Sequence, residues 1–379
     1  MHYFCFKFIQ LKTNRIYFID AVRAFAILMM LQGHFIDTLL AVDFRDTSNL
    51  AFQIWQYFRG ITAPVFFTIS GLIFTYLLMK ANASGTSNER IKKGIVRGLM
   101  LIGIGYALRV PIFRWFSGSF DTYFLVIDVL QCIGLSLILI IFFYKFVQRK
   151  VLVFSVLMFC LGGVIFITEP LYRTYNAENI PLFFANYLTK SNGSIFTIVP
   201  WFGYMAYGAF IATLFYSYIN SPKFKSTIIF VFLILGLFLV NGSTWVLQNI
   251  YLWTDIQLVS DVANFNYLFI RLGNVLVIFG IFYAFERYLK QTLILKIGQK
   301  TLSIYVIHFI VLYGSFTGLG LNRILGKNLN PTEVILGALL FLSSVSFIAI
   351  YRTKANSFLY YKIRQLTQKI SSLFISKSN

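Results

Sequence analysis

Cysteine, acid and overall charge are all scarce in this chain. Three cysteines, Cys5, Cys132 and Cys160, are too few and too apolar in context for a disulfide framework, and no metal site is expected. Charged residues make up 12% of the 379 residues, against 58% hydrophobic ones and 43 phenylalanines. A soluble fold is excluded by that balance. There is no internal repeat, no low-complexity tract and no separate soluble domain. The leader MHYFCFKFIQLKTNR has no clean apolar run followed by a small-residue cleavage site, so no cleaved signal peptide is expected. What the chain does have is a succession of apolar stretches of about 20 residues, each long enough to cross a bilayer.

Ten such spans are expected, at approximately 16–41, 52–79, 94–113, 122–147, 151–168, 195–218, 226–248, 266–285, 301–321 and 333–351. The fold class is an all-α polytopic membrane protein. A basic leader (1–15) precedes one transmembrane domain (16–351), and a basic tail (352–379) follows it. The net charge of +20 does not point to nucleic acid, because the basic residues alternate between loops. Of the 33 Lys and Arg, 23 fall on one side of the ten spans, six on the other and four inside. The positive-inside rule then puts both termini in the cytoplasm and requires an even number of spans. Residues 169–194, the longest outer loop, hide a re-entrant segment, form a lid or acceptor platform, or lie as an interfacial segment with anchoring aromatics. The 286–300 stretch is expected to be an amphipathic surface helix.

The first span, IYFIDAVRAFAILMMLQGHFIDTLLA, carries Asp20, Arg23, His34 and Asp37. An ionisable group near a bilayer centre costs roughly 2.5–3.5 kcal/mol on insertion scales, so such residues usually face a protein interior. Arg23 and His34 differ by about 20° around the helix and about 16 Å along it, so they share one stripe. A neutral imidazole can act as a general base; a guanidinium, which never loses its proton, cannot. Asp37, one turn beyond His34, orients that ring or is a solvated helix end. Asp20 and Arg23 pair at i,i+3, either as a structural ion pair or to leave Arg23 holding a phosphate, a carbonyl or another carboxylate.

Further candidates lie in later spans. Arg59, Ser70 and Arg109 are intramembrane polar groups, although Ser70–Gly71 in TAPVFFTISG also suits close helix packing. Asp128, in VIDVLQCIGLS, is placed to pair with an intramembrane arginine. His308, in LSIYVIHFIVLYG, is a pocket residue or a hydrogen-bonded core residue. Lys92, Lys93 and Arg97 stand at the cytoplasmic mouth, where they could meet the phosphates of a nucleotide or act only as topology markers.

The stretch FIDAVRAFAILMMLQGHF resembles the arginine-x10-histidine first helix of the acyltransferase-3 family of membrane sugar acyltransferases. PVFFTISG, DVLQCIGLS, FTIVPWFGYMAYGA and IGQKTLSIYVIH are closer to the heparan-alpha-glucosaminide N-acetyltransferase-like branch of the same superfamily. The resemblance implies an acyl-CoA-dependent membrane acyltransferase with acetyl-CoA, or another acyl-CoA, as co-substrate. The acyl group would pass from the cytoplasmic side to a hydroxyl or amine of a sugar or glycan at the outer face. His34 carries over as the catalytic histidine and Arg23 as its motif partner, with Asp20 beside it. Under the same resemblance, Arg59, Ser70 and Arg109 could serve an acyl, oxyanion or acceptor pocket. The expected partners are the acyl-CoA, the glycan and the lipid bilayer, with a homodimer allowed and nucleic acid excluded. The Lys, Asn, Ile and Phe bias suggests a bacterial inner membrane. The rival reading is a transporter or flippase for a lipid-linked sugar or small anionic solute. It would favour matched Gly/Pro-interrupted spans in two halves, and the chain offers Pro111 and Asn241–Gly242 but no matched pair.

Overall fold

The computed structural model describes residues 16–173, 175–177 and 179–351. The expected leader and tail, with Cys5, lie outside the described residues. The described chain is helical throughout: α1 (Tyr17–Leu39), α2 (Leu50–Ala83), α3 (Ser87–Ala107), α4 (Ile112–Phe116), α5 (Val129–Phe146), α6 (Val151–Ile167), α7 (Glu169–Arg173), α8 (Leu182–Leu188), α9 (Ile198–Tyr218), α10 (Phe224–Thr254), α11 (Gln257–Asn264), α12 (Tyr267–Ala284), α13 (Thr292–Gln299), α14 (Thr301–Tyr313), α15 (Leu321–Ile324) and α16 (Pro331–Tyr351).

Every expected span coincides with a helix. Seven are long and apolar enough to cross a membrane, and eight if the α13–α14 pair, bent by 70°, is one span. The other two differ for identifiable reasons. α6 has only 17 residues, and α3 begins with Glu89, Arg90, Lys92, Lys93 and Arg97 in its first three turns.

The 286–300 stretch contains an amphipathic helix, α13, as expected: Thr292, Leu293, Lys296 and Gln299 are exposed, while Ile297 and Gly298 are buried on the face that packs on α1. Gly298 lies so close to the Asp20 carbonyl that a Cβ there would overlap it. The 169–194 loop holds α7 and α8. It is fastened to the bundle by Glu169, which pairs with Arg173 and accepts from Tyr267 Oη at 3.1 Å.

Glycines set the helix spacing at the centre. Gly71 of α2 meets the Met205 carbonyl of α9, and Gly208 of α9 meets the Thr68 carbonyl of α2, where no side chain could fit. The backbones therefore touch, as small residues permit in membrane bundles. The 34-residue α2 spans ~51 Å, longer than a hydrocarbon core of about 30 Å. α14 stops early. Gly314 takes φ 68°, a left-handed C-cap, and residues 314–320 turn away instead of completing the expected span.

Candidate active site: two cavities on one pair of helices

α1 and α14 run side by side in parallel and are tied at both ends. At the amino-terminal end, Arg23 Nη2 donates to Thr301 Oγ1 at 3.0 Å. At the other end, His34 Nδ1 and Tyr313 Oη lie 2.6 Å apart. The two bonds are 11 residues apart on α1 and 12 on α14, or ~16–18 Å of rise on each, so the helices keep register. Each tie borders a cavity.

The outer cavity, about 780 Å³, is lined by His34, Arg109, Asp128, Tyr313 and, toward its mouth, Arg114 and Arg323. Its walls are the segment that follows α3, the start of α5 and the turn after α14. Arg109 Nη2 donates to Asp128 Oδ2 at 2.9 Å, and the two side chains are only 5% and 7% exposed. Asp128 is also the N-cap of α5, accepting from Val129 N in a capping box with Gln131. Buried carboxylates need this kind of compensation. The pairing expected for Asp128 is thus present. Several buried polar atoms around the cavity have no protein partner, among them Arg109 Nε, Ser315 Oγ and Asn322 Oδ1. Orphans of this kind are rare where no water or ligand meets them.

The inner cavity, about 250 Å³, is lined by Arg23, Ser70, Arg90, Arg97, Thr301 and Tyr305, among apolar neighbours. Three guanidinium groups around so small a space suit an anion with several oxygens. Arg23 also lies 3.7 Å from Asp20, and Arg90 Nε is buried without a partner.

The sequence-derived groupings need correction in six places. Arg23 and Asp20 do not stand with His34; they belong to the opposite end of α1, where Arg23 lines the other cavity and Asp20 lies beside it without lining it. Ser70 also lines the inner cavity, not a pocket beside His34. Arg59 lines neither cavity, because it is engaged by Asp37. Asp37 is thereby withdrawn from His34, whose Nδ1 partner is Tyr313 instead. Lys92 and Lys93 are exposed and outside the inner cavity, with Lys93 3.9 Å from Glu89. Arg97 does line it. His308 is fully buried behind His34, with 5.3 Å between ring centroids, and lines neither space.

Sequence reasoning missed Tyr305 and Tyr313, and it used Arg90, Arg114 and Arg323 only as topology markers. A signal for Arg90 existed. Arg90 and Arg97 are seven residues apart, so they fall within about 20° of each other on α3, whereas Lys92 and Lys93 point elsewhere.

Helices long enough for a bilayer, with charged recesses between them, define an all-α polytopic membrane protein whose interior is polar at both ends. A family model described as heparan-alpha-glucosaminide N-acetyltransferase, catalytic, matches residues 15–256. The chain belongs to that family, and so to a family of membrane acetyltransferases. No curated protein matches the chain.

Proposed function

We propose that the protein transfers an acetyl or other short acyl group from acyl-CoA on the cytoplasmic side to a sugar hydroxyl or amine at the outer face. The observation that carries this reading is the pair of cavities at opposite ends of α1 and α14. The inner one is ringed by Arg23, Arg90 and Arg97, and the outer one is fronted by His34. Tyr305 borders the inner cavity and Phe309 the outer. These residues are one turn apart, so the wall there is ~6 Å thick. The arginines suit the phosphates of CoA, and the pantetheine arm is long and thin enough to reach through such a wall. The excess of Lys and Arg on that side supports a cytoplasmic opening for the inner cavity. The residue bias favours a bacterial inner membrane.

His34 is the general base. In its working tautomer Nδ1–H donates to Tyr313 Oη and Nε2 presents a lone pair to the cavity, the arrangement in which one ring nitrogen is fixed so that the other can work. Nε2 takes the proton of the acceptor O–H or N–H as the acceptor attacks the thioester carbonyl carbon. The C–S bond then breaks, and the departing sulfur receives the proton from the imidazolium. The glycan occupies the outer cavity, with Arg114, Arg323 and Asn322 toward its mouth. Arg109, committed to Asp128, holds the floor of that cavity rather than the reacting carbonyl.

The test is acetyl-CoA turnover by purified protein, wild type against His34→Ala, over a panel of sugars and amino sugars. The loss of a general base lowers the rate by about 10²–10⁴-fold. Equal turnover by a folded mutant would sink the assignment of His34. No acetyl-CoA binding at all would move the reading to a transporter.

A further inference from the structure

The wall between the cavities contains a polar group that the mechanism above does not use. His308 is 0% exposed, and neither ring nitrogen has a hydrogen-bond partner. The backbone of its own helix turn, at Ile304 and Tyr305, is close to the ring but makes no bond of proper geometry with either nitrogen. Its ring is packed among His34 at 5.3 Å, Tyr305 at 4.9 Å, Phe309 at 5.8 Å and Tyr313 at 6.4 Å between centroids. A buried donor left unmet costs roughly 1–3 kcal/mol. A leucine or phenylalanine would fill the same space without that cost. An imidazole kept there has a partner in some other state of the protein.

We infer that His308 is a catalytic residue whose N–H donates to the thioester carbonyl oxygen of the acyl donor. The inference rests on the acyl-CoA reading above and adds the missing oxyanion donor. Its position fits the role. His308 lies on α14 between Tyr305, which borders the inner cavity, and Phe309, which borders the outer. An arm reaching from the inner cavity toward His34 passes this turn. The carbonyl carbon must lie within reach of the nucleophile that His34 activates, and the neighbouring imidazole is then available to its oxygen. As the acceptor adds, negative charge gathers on that oxygen, and the His308 N–H bond strengthens in a dry setting. His308 keeps its proton throughout. The proton from the acceptor goes to His34 and then to the CoA sulfur, so the roles do not overlap. Of the other expected oxyanion groups, Arg59 is held by Asp37, Ser70 faces the inner cavity and Arg109 is committed to Asp128.

The test needs no knowledge of the acceptor. Full-length wild type, His308→Phe and His308→Gln are loaded with acetyl-CoA carrying a ¹³C-labelled carbonyl. Binding is followed by thermal stabilisation, and the thioester carbonyl stretch by infrared difference spectroscopy. The expected result is a lowered stretching frequency in the wild type, its loss in the Phe variant and its partial return in the Gln variant, which keeps a donor. Slow hydrolysis of bound acetyl-CoA should fall about 10²–10³-fold in the Phe variant, the size seen when one oxyanion donor is removed. An unchanged frequency in a Phe variant that still binds acetyl-CoA would overturn the role of His308 and leave the donor reading intact. Should the wild type itself not bind acetyl-CoA, the donor reading fails and this inference fails with it. If the Phe variant does not fold, the Gln variant decides alone: a frequency equal to that of free acetyl-CoA in water would overturn the inference.

Discussion

The inner and outer cavities share α1 and α14 yet are built from different chemistry. The inner one is small and ringed by arginines, with no carboxylate among its lining residues. The outer one is about three times larger (780 against 250 Å³) and mixes histidine, tyrosine, arginine and aspartate. A site of one charge sign can hold an anion but has no group of neutral pKa to move a proton. A mixed site with a histidine can move protons. On the proposed reading, binding and proton transfer are separated along one helix pair, and variants at the two ends should produce different kinetic signatures.

The largest expected effect is at the outer end. His34→Ala lowers kcat by about 10²–10⁴-fold without changing acetyl-CoA affinity, measured by turnover alongside binding. Next comes the buried pair. Asp128→Asn leaves Arg109 uncompensated and should destabilise the protein by about 3–5 kcal/mol, read as a drop in the thermal unfolding midpoint. Removing both charges, with Arg109→Met and Asp128→Leu, should restore much of that loss. Equal damage by the single and double variants would mean that the pair does more than neutralise itself.

At the inner end, Arg97→Ala combined with Arg90→Ala should raise the KM for acetyl-CoA about tenfold or more, since charge-assisted bonds contribute about 1.5–3 kcal/mol each. kcat should hardly move. The paired control is Lys92→Ala with Lys93→Ala, expected to leave KM nearly unchanged. If the lysines matter as much as the arginines, the inner cavity is not where the phosphates bind. The smallest effect is Tyr313→Phe. It removes one hydrogen bond to His34, about 0.5–1.5 kcal/mol, and should reduce kcat by several-fold while sparing both KM values.

The two ends were also unequally legible in the sequence. Helical periodicity put Arg23 and His34 on one stripe, and that stripe faces the protein interior as the cost of intramembrane charge demands. Asp128 reading as a partner for an intramembrane arginine follows from the same cost. Partners on other helices were beyond reach. Tyr305 and Tyr313 are two of 23 tyrosines, and only the parallel alignment of α1 with α14 brings one of them to His34. Proximity in sequence also misled: Asp37 is one turn from His34, but Arg59 from α2 claims it. Lys92 and Lys93 have the right charge at the right depth and the wrong helical angle. The break between α13 and α14 was legible, because 286–300 read as a separate amphipathic helix ahead of a span from 301; the stop at Gly314 was not, because apolar residues such as Phe316, Leu319 and Leu321 follow it.

The thin wall at Tyr305 and Phe309 has an electrical meaning. Where solvent enters recesses from both faces, the remaining protein is the insulator, and the membrane potential falls across it instead of across a full bilayer. A unit charge carried through such a layer gains or loses ~2.3 kcal/mol per 100 mV. A neutral acyl chain and pantetheine arm would feel almost none of this, whereas a hydrated ion would meet it in full. On the proposed acyl-CoA reading, the aromatic packing around His308 would serve as a dielectric seal, admitting an uncharged tether while holding back ions.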